Sequence, residues 1–405
     1  MASLRIRNIG PLRDTGTIPL RRINLFIGKQ SSGKSTFMKI LSYCRWIEKQ
    51  VMINGEDSIN KYTHYHTFTK ELLQFHRFDK GFFYEDSSID YKGECVNIQL
   101  KGINKNAEIK LLPDFELLRH NTKLCFIPSE RNLSTAIKHI DKAYKTKDFD
   151  SLFNFVFEWG EAKENYSSEH PLGLVTMPDM EYRYDKTKDE DIIRMKSIRK
   201  DISPFYASSG IQSAMPIEVM LDYCCGLVGK PAESSRKTLN YLVEQWLKEG
   251  KTPTTIETQK VGNIVDKLLK YQSAQLFIEE PEQNLYPESQ KDLVMKLVKC
   301  ILNKREGQTY DNMLTITTHS PYLISVINVL IKAYKAGQKD KNATEKIILK
   351  EYQLSPRNIS AYFINDGNFK HIIEPDIPMI SGTDLDGVSD WVEGKIADLD
   401  DIIYG

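Results

Sequence analysis

The sequence predicts an α/β protein with a mixed or parallel core sheet around a phosphate loop, an antiparallel β subdomain and a helical lobe. A GxxxxGK[ST] segment lies between an apolar run, 23–27, and an apolar helix start. Two later apolar runs, 274–278 and 313–317, predict further buried strands that end in polar loops. Three short alternating runs within 88–112 predict an antiparallel meander. These patterns place one sheet around the glycine-rich segment.

The glycine-rich segment is predicted to bind the phosphates of a nucleoside triphosphate. Its glycines allow backbone N–H groups to surround the phosphates, and the following helix N-terminus favours negative charge. The Lys34 ammonium is expected to reach the β- and γ-phosphates, and the Ser35 hydroxyl is placed for Mg²⁺. The segment comprises Gly28, Lys29, Gln30, Ser31, Ser32, Gly33, Lys34, Ser35 and Thr36.

Bulk composition is that of a chain able to bury a sizeable core. The chain has 405 residues, 40 % of them hydrophobic, and 55 basic residues balance 55 acidic ones. This balance indicates no nucleic-acid or membrane partner by charge alone. No apolar run is long enough to cross a bilayer, and the six cysteines form no CxxC pair, so we expect reduced thiols and a cytoplasmic location. The histidines in 61–78 fit a surface helix better than a metal site.

The motif positions divide the chain into four predicted segments. Residues 1–137 form an N-terminal lobe with the phosphate loop and the meander, and 202–373 form a C-terminal lobe. Between them, 138–201 is dense in mixed charge and is predicted to be an insertion. Two roles are expected for this insertion: either it contacts a partner or trigger, or it is a passive solvated segment. Residues 374–405 predict an acidic terminal helix.

The run 274–278 delivers two adjacent carboxylates, Glu279 and Glu280, at the end of a predicted buried strand. Ligands bind at the carboxyl ends of strands in open α/β sheets, and buried carboxylates are costly without a cation or water to hold. We therefore assign Glu279 to Mg²⁺, through water, and Glu280 to the attacking water. The alternative is a helix cap, because Pro281 and Pro287 both mark helix starts.

The run 313–317 leads to His319, which is followed by a helix start at Pro321. A histidine at a strand end beside the acidic strand can reach a γ-phosphate. A lone histidine is otherwise more often structural. Its position after the acidic strand favours a role at the nucleotide.

These motifs, taken in order, resemble the ABC-type ATPase head of the RecF/SMC/OLD group. The resemblance spans about residues 1–370 without the insertion, and rests on the phosphate loop, a Ser-Ser-Gly segment, an E-E-P-E-x-x-L-x-P string and a T-H-S-P string. It implies ATP hydrolysis with Mg²⁺ in a homodimer or higher homo-oligomer, with ATP held between two subunits. On the matching positions, Glu280 is the implied catalytic glutamate and His319 the switch histidine. The implied signature residues that touch ATP in trans are Ser208, Ser209 and Gly210.

The resemblance leaves two hypotheses for the biological role. OLD nucleases continue after the switch histidine into a nuclease domain, whereas a short tail follows His319 here. The first hypothesis is therefore an ATPase that senses a trigger and controls a separate effector, a nuclease or toxin, resembling the ATPase subunits of phage-defence pairs such as PARIS or Septu. The second is a RecF-like DNA-repair ATPase that binds duplex DNA, for which a basic face and salt-dependent binding are expected.

Overall fold

The computed structural model describes residues 2–137, 150–232, 264–305, 308–374, 379–381 and 387–404. The strands are β1 (Ser3–Ile9), β2 (Leu12–Asp14), β3 (Ile18–Pro19), β4 (Ile23–Gly28), β5 (Phe83–Lys92), β6 (Val96–Lys101), β7 (Glu108–Leu111), β8 (Asn121–Ile127), β9 (Leu172–Gly173), β10 (Met180–Asp185), β11 (Glu190–Met195), β12 (Lys200–Ile202), β13 (Tyr271–Glu279), β14 (Met313–Thr318), β15 (Ile359–Asn365) and β16 (Asn368–His371). The helices are α1 (Lys34–Asn54), α2 (Glu56–Thr63), α3 (Thr67–Phe75), α4 (Phe115–Leu118), α5 (Leu133–Ala136), α6 (Ser151–Lys163), α7 (Ser209–Gly226), α8 (Pro287–Leu302), α9 (Pro321–Lys339), α10 (Lys341–Glu345) and α11 (Gly387–Tyr404).

One twelve-stranded mixed sheet organises the described chain. Its strand order is β7-β6-β5-β1-β2-β16-β15-β4-β14-β13-β8, and β3 pairs with β1. The five strands β15, β4, β14, β13 and β8 are mutually parallel, whereas β1, β5, β6 and β7 pair antiparallel. The parallel strands and the antiparallel meander confirm the predicted α/β class.

The parallel strands are buried on both faces, and alternate residues enter different hydrophobic cores. On β4, Leu25 and Ile27 pack in the core that contains helices α6, α7, α8 and α9. Phe26 points to the other core, which contains helix α1 and the antiparallel strands. This arrangement explains why the strand sequences are continuous apolar runs.

The charged segment 138–201 is described from residue 150 onward, where it packs against the second lobe. Helix α6 and a separate four-stranded antiparallel sheet, β12-β11-β10-β9, follow one another in this part of the chain. Phe155, Trp159, Tyr182 and Ile193 are buried in the same core as helix α7. The segment boundaries remain predictions. Since its aromatic side chains share this core, we expect removal of residues 150–201 to destabilise the fold.

Glu218 joins the four-stranded sheet region to helices α7 and α8. Its fully buried carboxylate accepts hydrogen bonds from the backbone N–H groups of Val175 and Thr176, and lies 2.9 Å from the Lys296 ammonium. Removing one partner of a buried ion pair typically costs about 3–5 kcal/mol, because the other charge stays buried. We expect Glu218→Gln to lower the free energy of unfolding by about that amount, measured by urea denaturation.

An exposed ion pair in the same region provides the control for this prediction. The Lys186 ammonium lies 3.2 Å from the Glu164 carboxylate, and more than half of each side chain is accessible to solvent. Glu164→Gln should change the unfolding free energy by less than about 0.5 kcal/mol. Equal effects of the two substitutions would show that Glu218 does not anchor the segment.

Two predicted features lie outside the described residues or only partly inside them. The sequence predicts helices at 234–248 and 255–271; the first falls outside the described residues, and of the second residues 264–269 are helical and Tyr271 begins β13. The acidic terminal helix is described as α11, whereas Asp384 and Asp386 lie outside. All six cysteines are free thiols. In the described part of the chain, no helix has both the length and the apolar character needed to span a bilayer.

Candidate active site

The candidate site lies where the parallel strands β8, β4, β14 and β13 end at one edge of the sheet. The loop after β4 is the predicted phosphate loop, and the loops after β13 and β14 carry Glu280 and His319. An open cleft of about 570 Å³ lies between these loops. Its lining comprises Pro11, Gln30, Ser31, Ser32, Gly33, Lys34, Ser35, Thr36, Phe82, Glu280 and His319.

Two glycines of the phosphate loop are required by its backbone. Gly28 and Gly33 have φ angles of 156° and 105°, a region that L-residues rarely adopt. A Cβ built at Gly28 would overlap the carbonyl oxygen of Ile364, and one at Gly33 would overlap the Leu12 side chain. Gly33 immediately precedes helix α1, so the loop's last residues lead into a helix N-terminus that favours an anion. The loop is thus shaped by close backbone approach, as a phosphate cradle needs.

The Lys34 side chain, at the start of helix α1, is buried beneath the phosphate loop. Its ammonium donates hydrogen bonds to the carbonyl oxygens of Gly28 and Lys29, at 2.9 and 2.7 Å. Burial lowers the pKa of Lys34 to about 8, and the nearby carboxylates of Glu280 and Glu282 oppose part of this shift. The amine is therefore held at the cleft in a desolvated environment, where an additional anion would favour its charged form.

Glu279, the last residue of β13, carries a buried carboxylate with an unpartnered oxygen. It is 2 % exposed; Oε2 accepts a hydrogen bond from the Ser129 backbone N–H at 3.3 Å, and Oε1 has no hydrogen-bond partner among the described residues. Burial raises the pKa of Glu279, and Lys39, the Ser35 hydroxyl and the Ser129 N–H counteract part of the rise. A cation would satisfy this carboxylate, and carboxylate and hydroxyl oxygens suit Mg²⁺.

Glu280 is held in a strained backbone conformation beside His319. Its φ is 44°, which is uncommon for a residue other than glycine. Its N–H donates to the Thr317 carbonyl at 2.9 Å, so the turn is anchored to strand β14. Its carboxylate Oε1 lies 3.3 Å from the Nε2 of His319, and both side chains are about one-third exposed at the cleft. The structure therefore brings the predicted acid and histidine together.

Three residues that support the acidic loop were not assigned from the sequence. Glu282 accepts hydrogen bonds from the Thr318 hydroxyl and the His319 N–H, both at 2.7 Å, and so ties the loop after β13 to the loop after β14. Asn284 donates to the Ser213 hydroxyl at 2.9 Å, which ties the same loop to helix α7. Arg131 donates to main-chain carbonyls of the acidic pair. Glu282 and Asn284 fall within the acidic string, which was the only sequence signal for them.

The predicted signature residues lie apart from the cleft lining. Ser208 and Ser209 are exposed at the start of helix α7, and Gly210 is half-buried. A Cβ built at Gly210 would lie 3.0 Å from the Asn284 carbonyl oxygen, so this segment packs beside the acidic loop. Exposed Tyr206 and half-buried Ala207 precede the segment. The structure thus assembles the phosphate loop, Glu279, Glu280 and His319, and leaves Ser208 and Ser209 facing solvent.

Comparison with known proteins gives distant structural likenesses. No protein-family model and no curated sequence matches the chain. Similar solved structures include an SMC head bound to the C-winged helix domain of ScpA (9 % identity, 91 % of this chain and 96 % of that chain covered, TM-score 0.41). A second is the SMC head domain from Thermotoga maritima (10 % identity, 91 % of this chain and 97 % of that chain covered, TM-score 0.36). A third is the recombination mediator protein RecF of the RecFOR pathway (12 % identity, 91 % of this chain and 97 % of that chain covered, TM-score 0.34). These values are too low to transfer a function to this chain.

Proposed function

We propose that the chain is an ATPase that binds ATP and Mg²⁺ in the cleft at the carboxyl edge of the parallel strands. The observation that carries the proposal is the convergence of four elements. A glycine-shaped loop at a helix N-terminus, a buried lysine, and a glutamate beside a histidine line one cleft, and a buried carboxylate with an unpartnered oxygen, that of Glu279, directly precedes this glutamate. Phosphoryl transfer needs little beyond such positioning and charge stabilisation.

The residues present fit a magnesium ion at Glu279 and Ser35. The buried Glu279 carboxylate has one oxygen without a hydrogen-bond partner among the described residues, and the Ser35 hydroxyl is close enough to this carboxylate to lower its pKa. When bound, the ion would neutralise charge on the β- and γ-phosphates. The amine of Lys34, now bonded to the loop's own carbonyls, would turn to the phosphates. The loop N–H groups would orient them.

The chain's own residues can activate a water for attack on the γ-phosphate. The Glu280 carboxylate, exposed at the cleft, would accept the proton of that water. His319 lies within 3.3 Å of this carboxylate and would contact the γ-phosphate or orient Glu280. Glu282 fixes the His319 backbone N–H, so the histidine and the acidic loop keep one relative position.

We further propose that two copies complete each site. Ser208 and Ser209 are exposed and do not line the cleft of their own chain, which suits a contact with ATP bound to a second copy. Mixing Lys34→Ala with Gly210→Asp tests this directly, because each variant alone lacks one half of every site. In a mixed dimer, one intact loop faces one intact signature segment.

Random mixing should restore up to about a quarter of the wild-type ATPase rate. The separate variants should each show almost no turnover. A mixture that gives only the sum of the two separate rates would contradict completion of the site in trans. Glu164→Gln mixed with wild type serves as the control for the mixing procedure itself, since it should leave the rate unchanged.

ATP affinity should depend on pH through Lys34. The pKa of this amine is about 8. In the ATP-free protein the Lys34 side chain therefore loses its proton above about pH 8, and binding of ATP must then restore that proton. The dissociation constant should stay level below that value and rise above it by up to about tenfold per pH unit. Calorimetry between about pH 7 and pH 10 tests this, because the phosphates are already ionised there. A constant affinity over this range would contradict a direct role of the Lys34 charge.

As the output of ATP turnover we propose control of a separate effector protein in anti-phage defence. The balanced net charge and the terminal helix α11 support a protein partner. Four apolar side chains of α11, Val392, Ile396, Leu399 and Ile402, are exposed at helical spacing, beside acidic residues. A partner with a basic, apolar groove would match this helix.

The RecF-like hypothesis gives a different outcome in the same assay. Duplex DNA should then raise the ATPase rate severalfold, and the effect should fade steeply with added salt. Under the effector hypothesis, DNA should leave the rate unchanged, and purified chain with ATP and Mg²⁺ or Mn²⁺ should not cleave plasmid or tRNA. Cleavage that a substitution in this chain abolishes would contradict a separate effector.

A further inference from the structure

Arg131 is a fully buried arginine whose guanidinium is bonded to the main chain of two other segments, the acidic loop after β13 and helix α7. It lies in the 3-10 turn Ser129–Asn132 that follows β8, and its exposed fraction is 0 %. Nη1 donates to the carbonyl of Glu279 and Nη2 to that of Glu280, both at 2.7 Å. Nε donates to the Ser213 carbonyl at 2.9 Å.

These hydrogen bonds hold the main chain of Glu280 in a conformation that its own backbone preference disfavours. Glu280 has a positive φ, which is unfavourable for a residue other than glycine. The conformation persists because its N–H and C=O are both anchored, the latter by Arg131. Only a guanidinium offers donors in several directions from one planar group, so lysine cannot replace all of these bonds.

The same guanidinium also connects the acidic pair to the first turns of helix α7. Ser213 lies one turn beyond Ser208–Gly210, and no part of the Arg131 side chain faces solvent. Burial lowers the pKa of Arg131 to about 10, and the surrounding carboxylates of Glu282, Glu280, Glu279 and Glu130 oppose the shift, so the group is charged at neutral pH. The link is therefore a charge-assisted one.

We infer that Arg131 is a positioning residue that holds the main chain of Glu279 and Glu280 at a fixed spacing from helix α7. The inference rests on the proposed ATPase function, in which Glu280 acts on the water and the start of α7 meets a second copy's ATP. Displacement of either segment would then move the other. A shift of about 1 Å in a catalytic carboxylate can lower turnover about 100-fold.

The test compares Arg131→Lys with Arg119→Lys in the full-length chain. Arg119 is a matched control, since it is also buried and donates to two carbonyls, those of Met52 and Ile53, away from the cleft. In Arg131→Lys, kcat should fall about 10- to 100-fold while KM for ATP stays within about threefold. Arg119→Lys should keep kcat and KM, although both variants lose thermal stability.

A second readout separates positioning from a general loss of stability. Hydrogen exchange of the ligand-free protein should accelerate in 279–285 and 209–213 for Arg131→Lys, and at neither segment for Arg119→Lys. If Arg131→Lys does not fold, Arg131→Gln replaces it with the same expectations. Wild-type kcat in a folded Arg131 variant, or equal losses of kcat in the two arginine variants, would overturn the inference. A wild type without turnover would instead refute the proposed function, and this role with it.

Discussion

Lys34→Ala is expected to weaken ATP binding by about 100-fold or more, because it removes a charged donor that is buried at the phosphate loop. In the ligand-free protein this ammonium is bonded to the carbonyls of Gly28 and Lys29, beside the cleft. Without this ammonium, the loop loses its electrostatic attraction for the phosphates of ATP. Calorimetry with ATP and Mg²⁺ measures the change.

The control for this substitution is Lys186→Ala, a lysine 77 % exposed in the turn between β10 and β11. It should bind ATP with wild-type affinity. Equal ATP affinity in Lys34→Ala and wild type would show that the phosphates bind elsewhere. Circular dichroism and thermal unfolding establish that the variant is folded.

Glu280→Gln is expected to keep ATP binding and to lower kcat by about 100- to 10,000-fold, since an amide cannot accept the proton of the attacking water. The substitution preserves the shape of the side chain. Phosphate release under saturating ATP measures kcat, and calorimetry measures binding.

Glu288→Gln provides the control for this second prediction. Glu288 lies in the first turn of helix α8, close in sequence to the acidic loop, and its side chain is 74 % exposed. It should keep the wild-type kcat. Turnover near the wild-type rate in Glu280→Gln would contradict its assignment as the residue that activates water.

The parallel strands and the phosphate loop could be predicted from the sequence because burial on both faces forces continuous apolar runs. The predicted strands at 23–27 and 274–278 are observed as Ile23–Gly28 and Tyr271–Glu279. The acidic pair and His319 follow from these strands, since parallel strands end at one edge. The local sequence pattern was therefore sufficient to predict that Lys34, Glu280 and His319 lie at one cleft.

The four-stranded sheet was missed because its strands carry few buried side chains. Tyr182 is the one fully buried residue of β10 and Ile193 that of β11, and charged residues occupy most of the other positions. Such strands resemble solvated loops in sequence, so the charge pattern predicts an insertion where the structure has a packed sheet. Its packing on α7 depends on contacts with Trp159 and Glu218, which are distant in sequence.

The support of the acidic loop could not be predicted for a similar reason. Arg131 lies in a polar loop about 150 residues before the carbonyls that it binds, as the separations to Glu279 and Glu280 show. A charged residue in a loop is normally solvated. Only the assembled sheet places the end of β8 beside the end of β13 and thereby buries the guanidinium.

Phosphate release from ATP by wild type, Lys34→Ala and Glu280→Gln, purified in parallel, tests most directly whether this cleft binds and hydrolyses ATP. The structure predicts Mg²⁺-dependent release by wild type and almost none by either variant, with ATP binding lost only in Lys34→Ala. Release that persists at the wild-type rate in both variants, or a wild type that neither binds nor hydrolyses ATP, would contradict it.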